Sequence, residues 1–190
     1  VLIWVCTEWL WFIKFGVVVL TPLLLPILVP LSHFIMLPLE SFIRWSYIRK
    51  AKAKLAKRPD LIRIGITGSY GKTGVKHILF DMLNEKYNVC MSPHSFNTPM
   101  GLTKVVLKYL KPENHILIAE MGAKQVGDIA YLCNIIHPQH AIITGIGSQH
   151  LETFGSVENI KKTKNELVLS LPENTKVVFN MENEGSKALY

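Results

Sequence analysis

The chain has 190 residues, of which 49% are hydrophobic, and a formal net charge of +7 at pH 7. This length suits one domain of ordinary size with an appendage. Its three cysteines, Cys6, Cys90 and Cys133, lie far apart without metal-ligand spacing, which argues against a disulfide framework or a zinc site and fits a reducing compartment. Because the chain begins with Val1 and ends in a polar stretch, we expect it to be an internal part of a longer protein.

The first distinct feature is an apolar stretch. Residues 15–39 contain no charged side chain, and about 20 apolar residues suffice to cross a bilayer. We therefore expect a membrane segment at residues 1–43, with one spanning helix over residues 15–39 that tolerates its four prolines. Residues 1–13 are compatible with the end of an earlier span. A cleaved signal peptide is the alternative, but the basic residues follow the apolar stretch instead of preceding it.

A basic connector follows this segment. Residues 44–63 contain eight Lys or Arg residues and one Asp. Such a stretch can bind nucleic acid, but beside an apolar segment it favours a juxtamembrane connector, residues 44–60, facing anionic headgroups. We therefore expect a membrane partner and no nucleic acid. The positive-inside rule predicts a cell-membrane location with the rest of the chain on the cytoplasmic side.

From residue 61 onward, short apolar runs alternate with amphipathic stretches of helical length. This alternation predicts an α/β fold with a mostly parallel sheet and helices on both faces. Ligands bind at the carboxyl ends of the strands in such folds. The predicted strands are residues 61–67, 87–92, 115–121, 140–146 and 176–180, and the predicted helices lie near residues 72–86, 100–110, 126–136 and 156–170.

The first predicted strand is followed by a phosphate-binding loop, GSYGKT, at residues 68–73. Its glycines allow backbone N–H groups to surround phosphate oxygens, Lys72 supplies a charge, and the Thr73 hydroxyl can hold Mg²⁺. Ile66 stands where the usual G-x-x-x-x-G-K-[ST] loop has its first glycine, so the loop is the shorter G-x-x-G-K-T. A glycine-rich turn with a chance Lys-Thr is the alternative, which the order strand, loop, helix disfavours.

Polar residues stand at the other predicted strand ends. Glu120 is placed to coordinate Mg²⁺, and His150 lies in a loop at the same edge, where an imidazole could bind a second cation. Asn97 is a candidate contact for substrate or nucleotide, and Asn180 for a ribose or base. For each of the four, an ordinary solvated or structural role is the alternative.

With these residues identified, residues 61–190 resemble the first part of the central ATPase domain of the Mur ligase family, the ATP-dependent amide-bond ligases of peptidoglycan synthesis. The loop TGSYGKT is similar to the family's TG-x-x-GKT. The motifs EMGA, GDIA and HLETFGS and the KNE helix, within residues 119–167, resemble in this order the branch that adds D-alanyl-D-alanine to the UDP-muramoyl tripeptide.

The resemblance implies ATP and Mg²⁺ as cofactors. It implies that Lys72 and the loop amides bind the ATP phosphates, that Asn97 lies beside the transferred phosphate, and that Lys164 is carbamylated by CO₂ to become a metal ligand. Together with the strand-end residues, the predicted site residues are Gly68, Ser69, Tyr70, Gly71, Lys72, Thr73, Asn97 and Asn180 for the nucleotide; Thr73, Glu120, His150 and Lys164 for metal; and Lys72, His150 and Lys164 for catalysis.

The implied reaction joins an acid to an amine. ATP phosphorylates a muramoyl-peptide carboxylate, water-soluble or lipid-linked, to an acyl phosphate, which D-alanyl-D-alanine or a related amine then attacks. Folylpolyglutamate synthetases are related, but their loop usually reads GKG. Two rival hypotheses stay open at the level of the sequence, a membrane-tethered P-loop ATPase used as a switch or transport motor and an inactive interaction module.

Overall fold

The computed structural model describes residues 2–147, 151–173 and 175–190, with side chains from Lys14 onward. Its strands are β1 (Ile62–Thr67), β2 (Val89–Met91), β3 (Ile116–Glu120), β4 (His140–Ile143) and β5 (Val177–Phe179). Its α-helices are α1 (Leu2–Ala56), α2 (Lys72–Asn84), α3 (Pro99–Lys104), α4 (Asp128–Ile136), α5 (Leu151–Phe154), α6 (Val157–Leu169) and α7 (Glu184–Lys187), and a π-helical turn (Val105–Tyr109) continues α3.

The five strands form one parallel sheet in the order β2-β3-β1-β4-β5. This architecture confirms the predicted α/β fold. In the register of the sheet, Ile66 of β1 pairs with Glu120 of β3 on one side and with Ile142 of β4 on the other. The carboxyl ends of the three central strands therefore lie at one edge, immediately before the loop at residues 68–71.

Apolar side chains cover both faces of the sheet. On one face, Ile66, Val89, Ile116 and Ile118 pack against the apolar side of α2. On the other face, alternate residues of the same strands join the larger core, which includes residues of α3, α4 and α6. The alternation follows from the two-residue period of a strand, and it confirms the helices predicted on both sides of the sheet.

The chain forms two compact units, residues 1–45 and 46–190. In the first unit, the large apolar side chains described between Phe15 and Ile43 are exposed. By length and composition alone, the part of α1 at Lys14–Ala56 is apolar enough to cross a membrane, and its most apolar stretch has no buried residue.

The end of α1 belongs to the second unit. Ile48, Ala51 and Leu55 are buried in the same core as the helices of the sheet. Lys54 donates hydrogen bonds from Nζ to the carbonyl oxygens of Val106 (2.8 Å) and Leu110 (2.6 Å). Part of the predicted basic connector is therefore a packed helix of this unit, while the domain boundary between residues 60 and 61 stays a prediction.

Strand β4 ends earlier than the sequence indicates. The apolar pattern predicts a strand to residue 146, whereas β4 ends at Ile143. The Thr144 hydroxyl instead donates a 2.6 Å hydrogen bond to the carbonyl oxygen of Tyr70. The Thr144 N–H still donates to the carbonyl oxygen of Thr67 at the end of β1 (2.9 Å). The residues after Ile143 thus bond both to the end of β1 and to the loop at residues 68–71, which they support.

Candidate active site

A tight loop connects β1 to α2. Gly71 caps the helix with φ of 80°, a left-handed conformation that favours glycine. Gly68 is needed for space, since a Cβ atom there would lie 2.1 Å from the Thr144 hydroxyl oxygen. The two glycines therefore allow the loop to lie close against the residues that follow β4, with the N-terminus of α2 pointing into the loop.

Hydrogen bonds hold this loop to the β4 side. The backbone N–H of Ser69 donates to the carbonyl oxygen of Gly145 at 2.6 Å. The Ser69 hydroxyl accepts a 3.1 Å hydrogen bond from the N–H of Gly147 and lies 3.2 Å from that residue's carbonyl oxygen. With several bonds to a buried sheet, the loop has a set shape, which a phosphate-binding backbone requires.

A pocket of about 320 Å³ opens at this loop. It brings together six of the predicted nucleotide-binding residues and the predicted metal ligand Glu120. The lining residues are Ser69, Tyr70, Gly71, Lys72, Thr73, Gly74, Asn97 and Glu120. Residues from the ends of β1 and β3 and from the loop before α3 thus share one cavity, as expected for strand-end chemistry in a parallel sheet.

Lys72 carries the positive charge of the loop. Its Nζ donates to the carbonyl oxygens of Gly68 at 2.7 Å and Ser69 at 3.2 Å. Burial lowers the pKa of Lys72, and the negative charge of Glu120 opposes that shift. The ammonium group is therefore held within the loop, where it can interact with an anionic ligand.

Glu120 is buried at the end of β3, with 1% of its surface exposed. The Thr73 hydroxyl donates to its Oε2 at 3.1 Å, and the Asn97 amide donates from Nδ2 to its Oε1 at 3.2 Å. A hydroxyl and a carboxylate side by side in a phosphate-binding pocket are the oxygen donors that Mg²⁺ takes together with phosphate oxygens. The donor set therefore fits Mg²⁺.

Lys164 is buried on α6, with its Nζ 5.8 Å from the centre of the Phe154 ring. Burial lowers its pKa to about 8, and the positive charge of Lys72 acts in the same direction. The lysine does not line the pocket of the loop.

Among the described residues, Gly68 and Asn180 were predicted for the site and, like Lys164, are not in the pocket lining. Gly68 lies on the side of the loop that packs against Thr144 and Gly145. His150 lies outside the described residues. Asn180 does not reach the pocket, because its N–H donates to the carbonyl oxygen of Ile143 at 3.1 Å and its side-chain oxygen accepts from the N–H of Glu182 at 3.1 Å.

Asn183, three positions after Asn180, contacts the phosphate-binding loop. Its Nδ2 donates to the Tyr70 hydroxyl at 2.6 Å, and its Oδ1 accepts from the N–H of Ile146 at 2.8 Å. The sequence pattern did not predict this role. The available signal was the spacing of two asparagines in NMEN, which offered a second amide three positions after Asn180.

Lys76 was not predicted either. Its side chain is fully buried, and its Nζ lies 3.0 Å from Oε2 of Glu120. The helical period was the available signal, because a residue three positions after Thr73 and four after Lys72 lies on the same helix face.

A parallel α/β sheet with a G-x-x-G-K-T loop, a helix N-terminus and a buried carboxylate at one edge defines a nucleoside-triphosphate-binding domain of the P-loop type. Residues 66–190 match the family model described as the Mur ligase middle domain. The chain therefore belongs to the Mur ligase family, as its motifs predicted.

The curated relatives include UDP-N-acetylmuramoyl-tripeptide–D-alanyl-D-alanine ligases. The Escherichia coli protein is 32% identical over 120 residues, covering 63% of this chain and 26% of the relative. The Mycobacterium leprae protein is 36% identical over 146 residues, covering 73% and 28%. The chain thus spans only about a quarter of the length of these relatives.

Solved structures show the same fold. MurF from Acinetobacter baumannii matches with a TM-score of 0.72 and 25% identity, covering 77% of this chain and 32% of that chain. MurF from Thermotoga maritima, in complex with ADP, matches with a TM-score of 0.69 and 35% identity, covering 76% and 34%.

Proposed function

We propose that this chain is the nucleotide-binding part of an ATP-dependent amide-bond ligase that adds D-alanyl-D-alanine, or a related amine, to a UDP-muramoyl-tripeptide carboxylate. The observation that carries the proposal is the pocket in which the loop at residues 68–73 meets Glu120 and Asn97. The names of the curated relatives supply the substrates, and the ADP in the Thermotoga maritima relative supports an adenine nucleotide.

The residues of the pocket have distinct tasks in this reaction. The loop amides and Lys72 bind the phosphates of ATP and offset their negative charge, which otherwise repels the substrate carboxylate. Asn97, whose Nδ2 donates to Glu120, is proposed to contact the phosphoryl group that is transferred. An acyl phosphate and ADP form first, and the amine then attacks the acyl carbon to release phosphate.

Mg²⁺ is the metal that the donor set fits. Thr73 and Glu120 would hold it beside the phosphates, and the ion would supply further positive charge against the triphosphate. Lys164 is the proposed carbamate ligand of a second ion, supported by its burial and by a pKa lowered to about 8, because a lowered pKa leaves a larger fraction of the amine neutral and able to react with CO₂. His150 is the predicted partner of that ion.

We further propose that the protein acts at the cytoplasmic face of the cell membrane. The support is the apolar stretch of α1 and the basic residues that follow it. Within residues 46–190, Lys52 bonds to Asn134, and Lys54 and Arg58 bond to backbone carbonyl oxygens. The exposed side chains of Lys50 and Lys57 are the ones proposed to face anionic headgroups.

The test uses the full-length protein, purified with its complete downstream sequence. We expect ADP release that requires both UDP-muramoyl tripeptide and D-alanyl-D-alanine, together with a product whose mass corresponds to the amide. ATP hydrolysis that is indifferent to both substrates would instead favour a tethered ATPase. Fractionation of cells expressing the full-length protein tests the location, and recovery in the soluble fraction would contradict it.

A further inference from the structure

A second lysine of α2 is buried beneath the pocket. Lys76 has 0% of its side chain exposed, whereas Lys72, one helical turn earlier, lines the pocket. Lysine is almost never fully buried unless its charge is paired, because removing an ammonium group from water is costly. The burial of Lys76 therefore points to a specific partner.

The partners of Lys76 come from two other elements. Its Nζ forms an ion pair with Oε2 of Glu120 at 3.0 Å. It also donates a short hydrogen bond to the carbonyl oxygen of His94, in the loop between β2 and α3. His94 adopts φ of 47°, a conformation that is uncommon for a residue with a side chain. One ammonium group thus joins α2, the end of β3 and the loop that leads to Asn97.

Both oxygens of Glu120 are held by hydrogen-bond donors. Oε2 lies 3.1 Å from the Thr73 hydroxyl and 3.0 Å from Lys76 Nζ, and Oε1 lies 3.2 Å from Asn97 Nδ2. Of these three donors, Lys76 alone carries a charge. It therefore supplies the strongest constraint on the orientation of the carboxylate, because hydrogen bonds between charged partners are stronger than neutral ones.

Lys76 does not contact the ligand space itself. The pocket is lined by Lys72, Thr73, Asn97 and Glu120, but not by Lys76. A group that is fully buried behind a carboxylate acts through that carboxylate. Lys76 therefore differs from Lys72 in its position, because the Lys72 side chain lines the pocket and the Lys76 side chain does not.

We propose that Lys76 is a positioning residue that orients Glu120 for Mg²⁺ and fixes the His94–Asn97 loop beside it. The proposal deepens the proposed function, on which its place in a ligase rests. Groups that orient a metal ligand from behind typically change metal affinity by about 10–100-fold when they are removed. Substitution of Lys76 should therefore weaken the response to Mg²⁺ more than it weakens nucleotide binding without Mg²⁺.

The experiment compares Lys76→Met and Lys76→Gln with wild type in the full chain. Anisotropy of a fluorescent, non-hydrolysable ATP analogue is recorded first with EDTA and then during a Mg²⁺ titration. We expect unchanged affinity for the analogue in EDTA, and a half-saturating Mg²⁺ concentration raised by about tenfold or more. Lys86→Met is the matched control, because Lys86 is exposed just after α2 and its ammonium group lies over the Tyr87 ring, outside the pocket.

The two variants separate positioning from folding. Lys76→Met leaves the buried Glu120 charge unpaired and can reduce the folded fraction, whereas Lys76→Gln keeps a hydrogen-bond donor near His94. A lower folded fraction reduces the binding stoichiometry in EDTA but leaves the half-saturating Mg²⁺ concentration unchanged. A wild-type Mg²⁺ response in Lys76→Gln would overturn the proposal. Loss of analogue binding in EDTA by both variants would overturn it as well, because Lys76 would then maintain the fold and not the carboxylate.

These binding measurements do not depend on ligase turnover. If the wild-type protein binds the analogue with Mg²⁺ but forms no amide with any acceptor, the proposed function fails and the positioning role is still decided by the titration. If amide formation is observed and the titration shows no shift, the positioning role fails and the proposed function stands.

Discussion

Tyr70 and Asn183 are 113 positions apart in the chain and are joined by a 2.6 Å hydrogen bond from the asparagine Nδ2 to the tyrosine hydroxyl. The Tyr70 ring also lies against the glycine backbone after β4, so closely that a Cβ atom on Gly145 would lie 2.6 Å from it. The loop that lines the pocket is therefore supported from the residues after β5 as well as from those after β4.

The hydrogen bond between Tyr70 and Asn183 predicts that substitution of Asn183 destabilises the protein more than substitution of Tyr70. Asn183→Ala removes the acceptor for the N–H of Ile146 and the N-terminal cap of α7, so we expect the free energy of unfolding to fall by about 1–3 kcal/mol. Tyr70→Phe removes one exposed partner, and we expect a loss of about 0.5–1.5 kcal/mol. Chemical denaturation and ADP affinity measure both, with the exposed Asn88→Ala as control. Equal losses from the two variants would contradict this ranking.

Gly68 is predicted to tolerate no side chain. In Gly68→Ala, the new Cβ atom would lie 2.1 Å from the Thr144 hydroxyl oxygen and 2.9 Å from the carbonyl oxygen of Gly145. The loop must therefore move away from β4, and we expect ADP affinity to fall by about tenfold or more, as overpacking of a tight site costs about 1–3 kcal/mol. Isothermal titration calorimetry measures the change. Gly16→Ala, where nothing lies within 4 Å of the new atom, should bind ADP as wild type does.

Carbamylation of Lys164 is predicted to depend on pH. The neutral amine reacts with CO₂, forming an N–C bond and releasing a proton, and half of the Lys164 amines are neutral at about pH 8 instead of 10.5. At fixed dissolved CO₂, we expect the carbamate signal in ¹³C NMR to rise steeply as pH passes through about 8. Lys164→Met should abolish the signal, and the exposed Lys162→Met should leave it unchanged. A signal that survives Lys164→Met would refute the assignment.

The same shift has a consequence for stability. The pKa of Lys164 is lower in the folded chain, about 8, than the ordinary value of 10.5. Between these values the unfolded chain binds more protons, so the contribution of this group to the free energy of unfolding rises with pH across that window. Without added CO₂, wild type should gain stability relative to Lys164→Met as pH is raised from about 8 towards 10.5. Parallel pH profiles for the two proteins would contradict this expectation.

Lys54 is predicted to stabilise the second unit from the end of α1. Its ammonium group bonds to the carbonyl oxygens of Val106 and Leu110, in and just after the π-helical turn that continues α3, and positive charge at this end is also favoured by the helix dipole. We expect Lys54→Met to lower the free energy of unfolding by about 1–3 kcal/mol. The exposed Lys57→Met is the matched control. If Lys57→Met were equally destabilising, net charge and not these two bonds would be responsible.

The fold could be predicted from the sequence because most of its strands and helices follow clear local patterns of residue type and spacing. The short β-branched runs became β1 to β5, and the G-x-x-G-K-T spacing placed a loop and a helix start at residues 68–72. The four-residue helices α5 and α7 were not predicted, because they have too few residues to show a period. The ends of β4 and α3 differed from the prediction because Thr144 bonds to Tyr70 and because α3 continues as a π-helical turn.

The side chains of the site also fall into those that the sequence predicted and those that it did not. Lys72, Thr73 and Glu120, which share the pocket, were predicted from the sequence because a motif or a strand end marks each of them. Asn183 and Lys76 were not identified, since an asparagine in a polar turn and a lysine on a helix look like ordinary surface residues. Their roles follow from contacts with Tyr70 and Glu120, which are distant in the chain.

By itself, the sequence determined the order of the elements, the phosphate-binding loop and the family, because each depends on local spacing and residue type. The tertiary structure decided which side chains meet. It buried Lys76 against Glu120, placed Asn97 at the other carboxylate oxygen and brought Lys54 to the end of the π-helical turn that follows α3. The physical reason is that a charged side chain can leave water only where the fold supplies a partner, and the packing of helices on the sheet decides where that partner lies.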